Sequence, residues 1–136
     1  MSFPIALHAM LVLARTPHRR MNSTQIAASV GSNPVTVRRA IGLLAEAGLV
    51  DTQTGPRGGA TLARAANKIS VGDVRRAVGG PSWLQGHENP PNMKCDVSVS
   101  MPRIFHRLDQ TIESRVAPTL DKLTLKKLLD EEIRGA

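Results

Sequence analysis

The chain is poor in cysteine, with one thiol, Cys95, among 136 residues. One cysteine cannot close an internal disulfide framework, which excludes the bridge-held secreted scaffolds and agrees with a reducing compartment. Long apolar runs are missing too: no stretch of about 18 uncharged apolar residues exists. The opening MSFPIALHAMLVLA also lacks the basic leader and small-residue cleavage site of a secretory signal. The expectation is a cytoplasmic protein with no membrane partner. Acidic residues are scarce in one half only. Residues 1–80 carry ten Lys or Arg against three Asp or Glu, whereas residues 81–136 carry eight of each. The whole net charge of +7 therefore lies in the first half. A field concentrated in this way favours a polyanion, because each neutralised phosphate releases counterions. Catalytic signatures are absent as well. Cys95 with His87 or His106, and Ser98 or Ser100 with His106, can be drawn as nucleophile and base. No oxyanion-hole loop, phosphate-binding glycine motif or paired-carboxylate spacing accompanies them, so no enzyme is expected.

What is present suffices for one modest core, since 41% of the residues are apolar. From Phe3 to Leu13 the apolar residues are nearly continuous, which predicts a helix covered on most sides, by core or by an interface. Pro17 and HRRMN close it. Ser23 then reads as the hydroxyl cap of a short helix, STQIAASVG, with Ile26, Ala27 and Val30 at helical spacing and Gly31 as its stop. The next helix has Ser32 and Asn33 as cap candidates, Pro34 at the first helical position, and Val37, Ile41, Leu44 and Ala45 facing inward before Gly48. Two helices joined by a turn centred on Gly31 and Ser32 match a helix-turn-helix.

A hairpin follows directly. Leu49, Val50 and Thr52 pair with Ala60, Thr61 and Leu62 across GPRGG, where glycine reaches positive φ at little cost and proline presets a turn. Beyond it, Ser70 caps an amphipathic helix with Val71, Val74, Ala77 and Val78 inward, and Gly79, Gly80 and Pro81 break it. Residues 81–96 are dense in Pro, Gly and Asn and read as a loop. From Val97 the period returns: Val97, Met101, Ile104, Phe105, Leu108, Ile112, Val116 and Leu120 advance in steps of three and four. Pro118 is expected to kink or interrupt this helix, and Thr124 to cap a last short one.

In a helix-turn-helix the second helix enters the major groove by its N-terminal end. The side chains there are Asn33, Val35, Thr36, Arg38 and Arg39. Val35 and Thr36 suit a thymine methyl, and Arg38 or Arg39 can fork onto guanine. Asn33 also serves as a cap, a role that needs no DNA. A hairpin just after such a helix is a wing. Its tip would lay Arg57 in the adjacent minor groove while Gly58 and Gly59 let the backbone approach phosphate. Ser23, Thr24 and Gln25, at the start of the preceding helix, complete the expected contact set.

The string from Ser23 to Arg64, with AGLV, then GPRGGATLAR, then ISVGDVRRAVGG in that order, resembles the Rrf-two (Rrf2) family of bacterial winged-helix transcriptional regulators. The similarity runs over essentially the whole chain. It implies a homodimer in which the long C-terminal helix packs on its mate, the first helix joins the interface and two recognition helices read a palindromic operator. The apolar stripe, with Met101, Ile104, Phe105, Leu108, Ile112 and Val116 at its centre, fits that role on its own account, although an intrachain core helix would show the same stripe.

The expected fold is mainly α with a small β hairpin. Residues 1–80 form a winged helix-turn-helix DNA-binding domain, 81–96 an effector or sensor loop, and 97–136 a dimerisation helix with a short C-terminal helix. Many members of the family carry three cysteines before the dimer helix and bind an iron-sulfur cluster. This chain departs from that pattern: one thiolate per protomer cannot hold a conventional four-ligand cluster, and the only other donors are His8 and His87. No cofactor is expected. Cys95 is instead a candidate thiol sensor, activated by Lys94 and His87, or an inert cysteine near a helix start. The function expected is a repressor that binds double-stranded DNA as a homodimer and responds to redox or electrophile stress. A winged-helix protein-interaction module with weak, nonspecific DNA affinity is the alternative.

Overall fold

Each helix of the N-terminal region is delimited by a local device. In the computed structural model, which describes residues 3–80, 82–84 and 90–134, α1 runs Phe3–Arg15, α2 Ser23–Val30 and α3 Pro34–Glu46. β1 (Val50–Gln53) and β2 (Gly59–Leu62) follow, then a single 3-10 turn at Ala66–Lys68, α4 (Val71–Ala77), α5 (Asp96–Asp121) and α6 (Leu125–Leu128), which continues as a π turn over Leu129–Arg134. This is mainly α with one small hairpin, as the sequence predicts.

The capping chemistry corrects one reading. Asn22, not Ser23, caps α2: its side chain accepts from the Gln25 N–H at 2.8 Å, and the Gln25 side chain accepts from the Asn22 N–H at 2.9 Å. Ser23 is the first helical residue. Both types cap well, but only Asn22 has a Gln three positions on to close the reciprocal box. α3 begins as expected, with Asn33 accepting from the Val35 N–H at 2.7 Å and Pro34 in the first turn. Ser70 and Asp73 form a second capping box at α4.

The strands pair antiparallel, Val50 opposite Leu62, Asp51 opposite Thr61, Thr52 opposite Ala60 and Gln53 opposite Gly59. Leu49 lies just before the hairpin and is buried. The core gathers Ala6, Met10 and Leu13 of α1, Ile26 of α2, and Val37, Ala40, Ile41 and Leu44 of α3 with Leu49, Val50 and Val74. Ala45 and Ala77, expected inward, are half-buried. In and just after α4, Val71, Val74 and Val78 are buried as expected, and so is Arg75, its guanidinium lying against Gly80, where a Cβ would meet Arg75 Cζ at 2.8 Å.

The residues divide into two units by their contacts. The first holds the chain through Gly80 together with everything from Leu120 onward. That return is made by backbone bonds from Val71 N to the Leu123 carbonyl (2.7 Å) and from Leu125 N to the Ile69 carbonyl (2.9 Å), and it buries Leu125 and Leu129 in the core. Thr124 caps α6 by accepting from the Lys127 N–H.

The second unit runs up to Thr119. Among the described residues its helix is α5, which continues through both Pro102 and Pro118 to Asp121, so Pro118 does not interrupt it. A proline inside a helix costs about 3 kcal/mol by removing one amide donor and crowding the carbonyl four residues back. A helix of 26 residues keeps its bonded turns on either side. Residues 82–84, read as loop, are tied to this helix. Trp83 N and Leu84 N donate to Asp109 Oδ1 at 2.5 and 3.2 Å, and Trp83 Nε1 donates to Glu113 Oε2 at 2.7 Å. No residue described in α5 is buried. Among the described residues, no helix is long and apolar enough to cross a membrane.

Candidate nucleic-acid interface

The first turn of α2, the middle of α3 and the wing face one another across a cleft of about 670 Å³. Ser23 and Thr24 line it from α2, and Arg38 and Gly42, one helical turn apart, line it from α3. Thr52, Gly58 and Gly59 form the opposite wall. Of the residues expected to contact DNA, the fold therefore gathers Ser23, Thr24, Arg38, Gly58 and Gly59 around one concavity. Gln25, Asn33, Val35, Thr36 and Arg39 do not line it. Val35, Arg38 and Arg39 are exposed and Thr36 is half-buried. The oxygens of Gln25 and Asn33 are taken by the helix caps.

The wing tip spans five residues, from Thr54 to Gly58. It is closed by a bond from Gly58 N to the Gly55 carbonyl at 2.9 Å. At Gly58 a side chain would run into the backbone oxygen of Gln53, and Gly59 has φ +137°. The two glycines expected to permit close approach are thus required by the turn itself. Arg57 is exposed at the tip between Pro56 and Gly58, both of which line the cleft. Among the described residues, neither the Arg38 nor the Arg57 side chain has a hydrogen bond or an ion pair. Two uncommitted guanidiniums flanking a cleft beside the N-terminus of α2 suit a phosphate backbone, which is held by such donors from both sides.

Sequence reasoning missed the connector between α1 and α2. Met21 forms a bridge to Ala60, and Arg20 donates to Asp51 and to the Gly59 carbonyl. HRRMN carries no period or turn signal that could have announced this pairing.

Charge within the first unit is more organised around α4. Arg76 binds Asp121 at 2.8 Å and Asp73 at 2.9 Å. The Asp121 bond, working against partial burial, raises the Arg76 pKa further above its usual range. At Asp73 burial pushes the carboxyl upward, but donation from Ser70 and Arg76 outweighs it and holds the pKa below the ordinary 3.8.

Cys95 is a free, half-buried thiol immediately before α5. Its N–H donates to the Asn92 carbonyl at 3.0 Å, and its carbonyl accepts from Val99 N at 3.1 Å. His8 Nε2 lies 3.2 Å from Ser29 Oγ. His87, named as a third donor, lies outside the described residues, as do most of the loop residues between Trp83 and Pro90. Among the described residues no three of His, Cys, Asp and Glu gather into a group that could hold a metal ion.

Comparison with known proteins agrees with this architecture. The family model for Rrf2, an iron-dependent transcriptional regulator, matches residues 2–131. YwnA of Bacillus subtilis (strain 168), whose name assigns it as an HTH-type transcriptional regulator, is 36% identical over 127 residues, 93% of this chain and 90% of that protein. The solved structure of T. potens IscR superposes with a TM-score of 0.65 at 25% identity, covering 99% of this chain and 89% of that one. Staphylococcus aureus CymR gives a TM-score of 0.64 at 26% identity, covering 93% of each chain. The iron in the family description finds no matching donor set among the residues described here, since one thiol and isolated imidazoles do not make a cluster site.

Proposed function

Because the chain belongs to the Rrf2 family of transcriptional regulators, we propose that it acts in the cytoplasm as a homodimeric repressor that binds a palindromic operator in duplex DNA. The observation that carries this reading is the cleft between α2, α3 and the wing, flanked by the unpaired guanidiniums of Arg38 and Arg57. The first turns of α3 enter the major groove. There Val35 and Thr36 meet thymine methyls, Arg38 or Arg39 forks onto guanine, and Asn33 orients the helix N-terminus toward phosphate. Ser23, Thr24 and Gln25 contact the backbone, and Arg57 reaches the adjacent minor groove while Gly58 and Gly59 bring the wing backbone close.

The dimer is supported by α5. Its stripe of Met101, Ile104, Phe105, Leu108, Ile112 and Val116 has no buried member, and Ile104 and Leu108 are 40% and 46% exposed. Pairing this stripe with its mate sets two reading heads one helical turn apart, roughly 34 to 36 Å. Cys95 supplies the signal: oxidation of its thiol by peroxide at the start of α5 alters that spacing and releases DNA.

The deciding experiment is selection of bound genomic fragments in vitro, followed by affinity measurements across a salt series. A palindrome should be enriched, and Arg38→Ala and Arg57→Ala should each weaken binding and reduce the salt slope by about 0.9. Unchanged affinity and slope in both variants, on every fragment, would overturn the assignment. An identical peroxide response in Cys95→Ser would remove the thiol from it.

A further inference from the structure

We propose that Arg20 is a positioning residue for the DNA-contacting surface: with Asp51 it braces the wing against the connector into α2, presenting Arg57 beside the cleft that holds Arg38. The inference rests on the DNA-binding reading above and adds to it the part that sets the wing's angle.

A two-stranded hairpin is marginal by itself, and here each strand has only four residues. Its direction must be set at its base. β2 uses one edge for β1 and the other for the connector, where Met21 N donates to the Ala60 carbonyl at 3.0 Å and Ala60 N returns a bond to the Met21 carbonyl at 2.8 Å. Gly59 makes the approach feasible, since a Cβ there would press on the Met21 carbonyl carbon and oxygen at 2.7 Å. Thr61 Oγ1 adds a bond to the Pro17 carbonyl at 3.1 Å.

These contacts hold β2 alone. β1 beyond Val50 is exposed, and among the described residues no backbone bond ties it to the connector. Arg20 closes that gap by reaching across both strands. Its Nη1 donates to the Gly59 carbonyl at 3.3 Å and the Asp51 carbonyl at 3.4 Å, and its Nη2 meets Asp51 Oδ2 at 3.2 Å. Arg20 thus joins the connector to oxygens of both strands. Its side chain is 26% exposed and its planar fork is already committed, unlike the free guanidiniums of Arg38 and Arg57. Three of its five N–H donors are thereby spent on the wing.

The decisive variant is Asp51→Asn, because positioning and simple electrostatics predict opposite signs for it. Removing an acid makes the surface more positive, so without a brace DNA should bind as tightly or more tightly. With a brace, affinity for the duplex recovered in the genomic selection should fall on the order of threefold to tenfold, the range expected for lost hydrogen bonds. Asp51 is 60% exposed, so the variant is expected to fold. Arg20→Gln should match it and Arg20→Lys should recover part of the loss. In an Arg57→Ala background Asp51→Asn should cost nothing further, whereas general damage to the fold would persist there. Undiminished binding by Asp51→Asn, with Arg57→Ala still weakening it, overturns the brace and leaves the DNA reading intact. If Arg57→Ala and Arg38→Ala bind like the parent, the DNA reading itself falls and the brace with it.

Discussion

Arg76 Nη1 donates to Asp121 Oδ1 at 2.8 Å, tying α4 to the last residue of the longest helix. Its other nitrogen holds Asp73 at 2.9 Å, so one guanidinium joins a capping box to the point where the chain returns to the first unit. Asp121 lies close against α4, and a Cβ at Gly72 would displace its carboxylate. The pair is partly solvated, with side chains 53% and 43% exposed, and pairs of this kind contribute modestly. What it provides is a defined junction.

Asp73 makes that junction pH-sensitive. Its carboxyl is pulled upward by burial and downward, on balance more strongly, by Ser70 and Arg76, so its folded pKa lies below 3.8. A depressed carboxylate contributes stability that is fully present above its unfolded pKa and is lost as pH falls through the folded one. Thermal unfolding of wild type and Asp73→Asn should therefore differ at neutral pH, with wild type higher. The gap should close below about pH 4.

Leu125 is fully buried although it lies beyond α5. Leu125→Ala should cost about 2–5 kcal/mol, as for other large-to-small core changes. Urea unfolding should show a lowered midpoint at an unchanged m-value.

Gly59 has φ +137° against the Met21 backbone. Gly59→Ala should destabilise the wing by about 1–3 kcal/mol, the range for a residue forced into a sparsely populated backbone region. Amide exchange should quicken first at Ala60, whose N–H bonds Met21.

Leu108 stands at the middle of the exposed stripe. If α5 pairs as proposed, Leu108→Glu should shift the dimer to monomer in sedimentation equilibrium and weaken operator binding by at least tenfold, with helical circular dichroism retained. A charge buried against its own copy in a two-fold interface is unpaired twice.

Iron removal offers a further check. Dialysis against a strong chelator should leave both fold and DNA affinity unchanged, because Cys95 is the chain's one thiol. Loss of operator binding on chelation, restored by ferrous iron, would contradict this.

Much of the candidate site was legible because its signals are local. Asn33 followed by Pro34, Gly31 at the end of α2 and GPRGG between two short strands each act within a few residues, so boundaries could be placed from neighbours alone. The Asn22 cap was legible too, had Gln25 been read as the partner of the residue before Ser23. Pro118 does not interrupt α5, because propensity describes one turn whereas a long helix averages over many. Arg75 could not have been placed inside from its type, and it lies against Gly80 five residues on. Arg20 and Asp51 are 31 positions apart, and no periodicity relates them.

The sequence by itself determined the order of helices and hairpin, the concentration of positive charge in the first 80 residues and the lack of thiols for a cluster, because each is a matter of composition or short-range spacing. Tertiary structure alone decided that Ser23, Arg38 and the wing share one cleft, that the connector braces the wing and that the segment after Leu120 completes the N-terminal core. Those outcomes depend on closing long loops around a common apolar centre, and residues meet there through packing that no local pattern encodes.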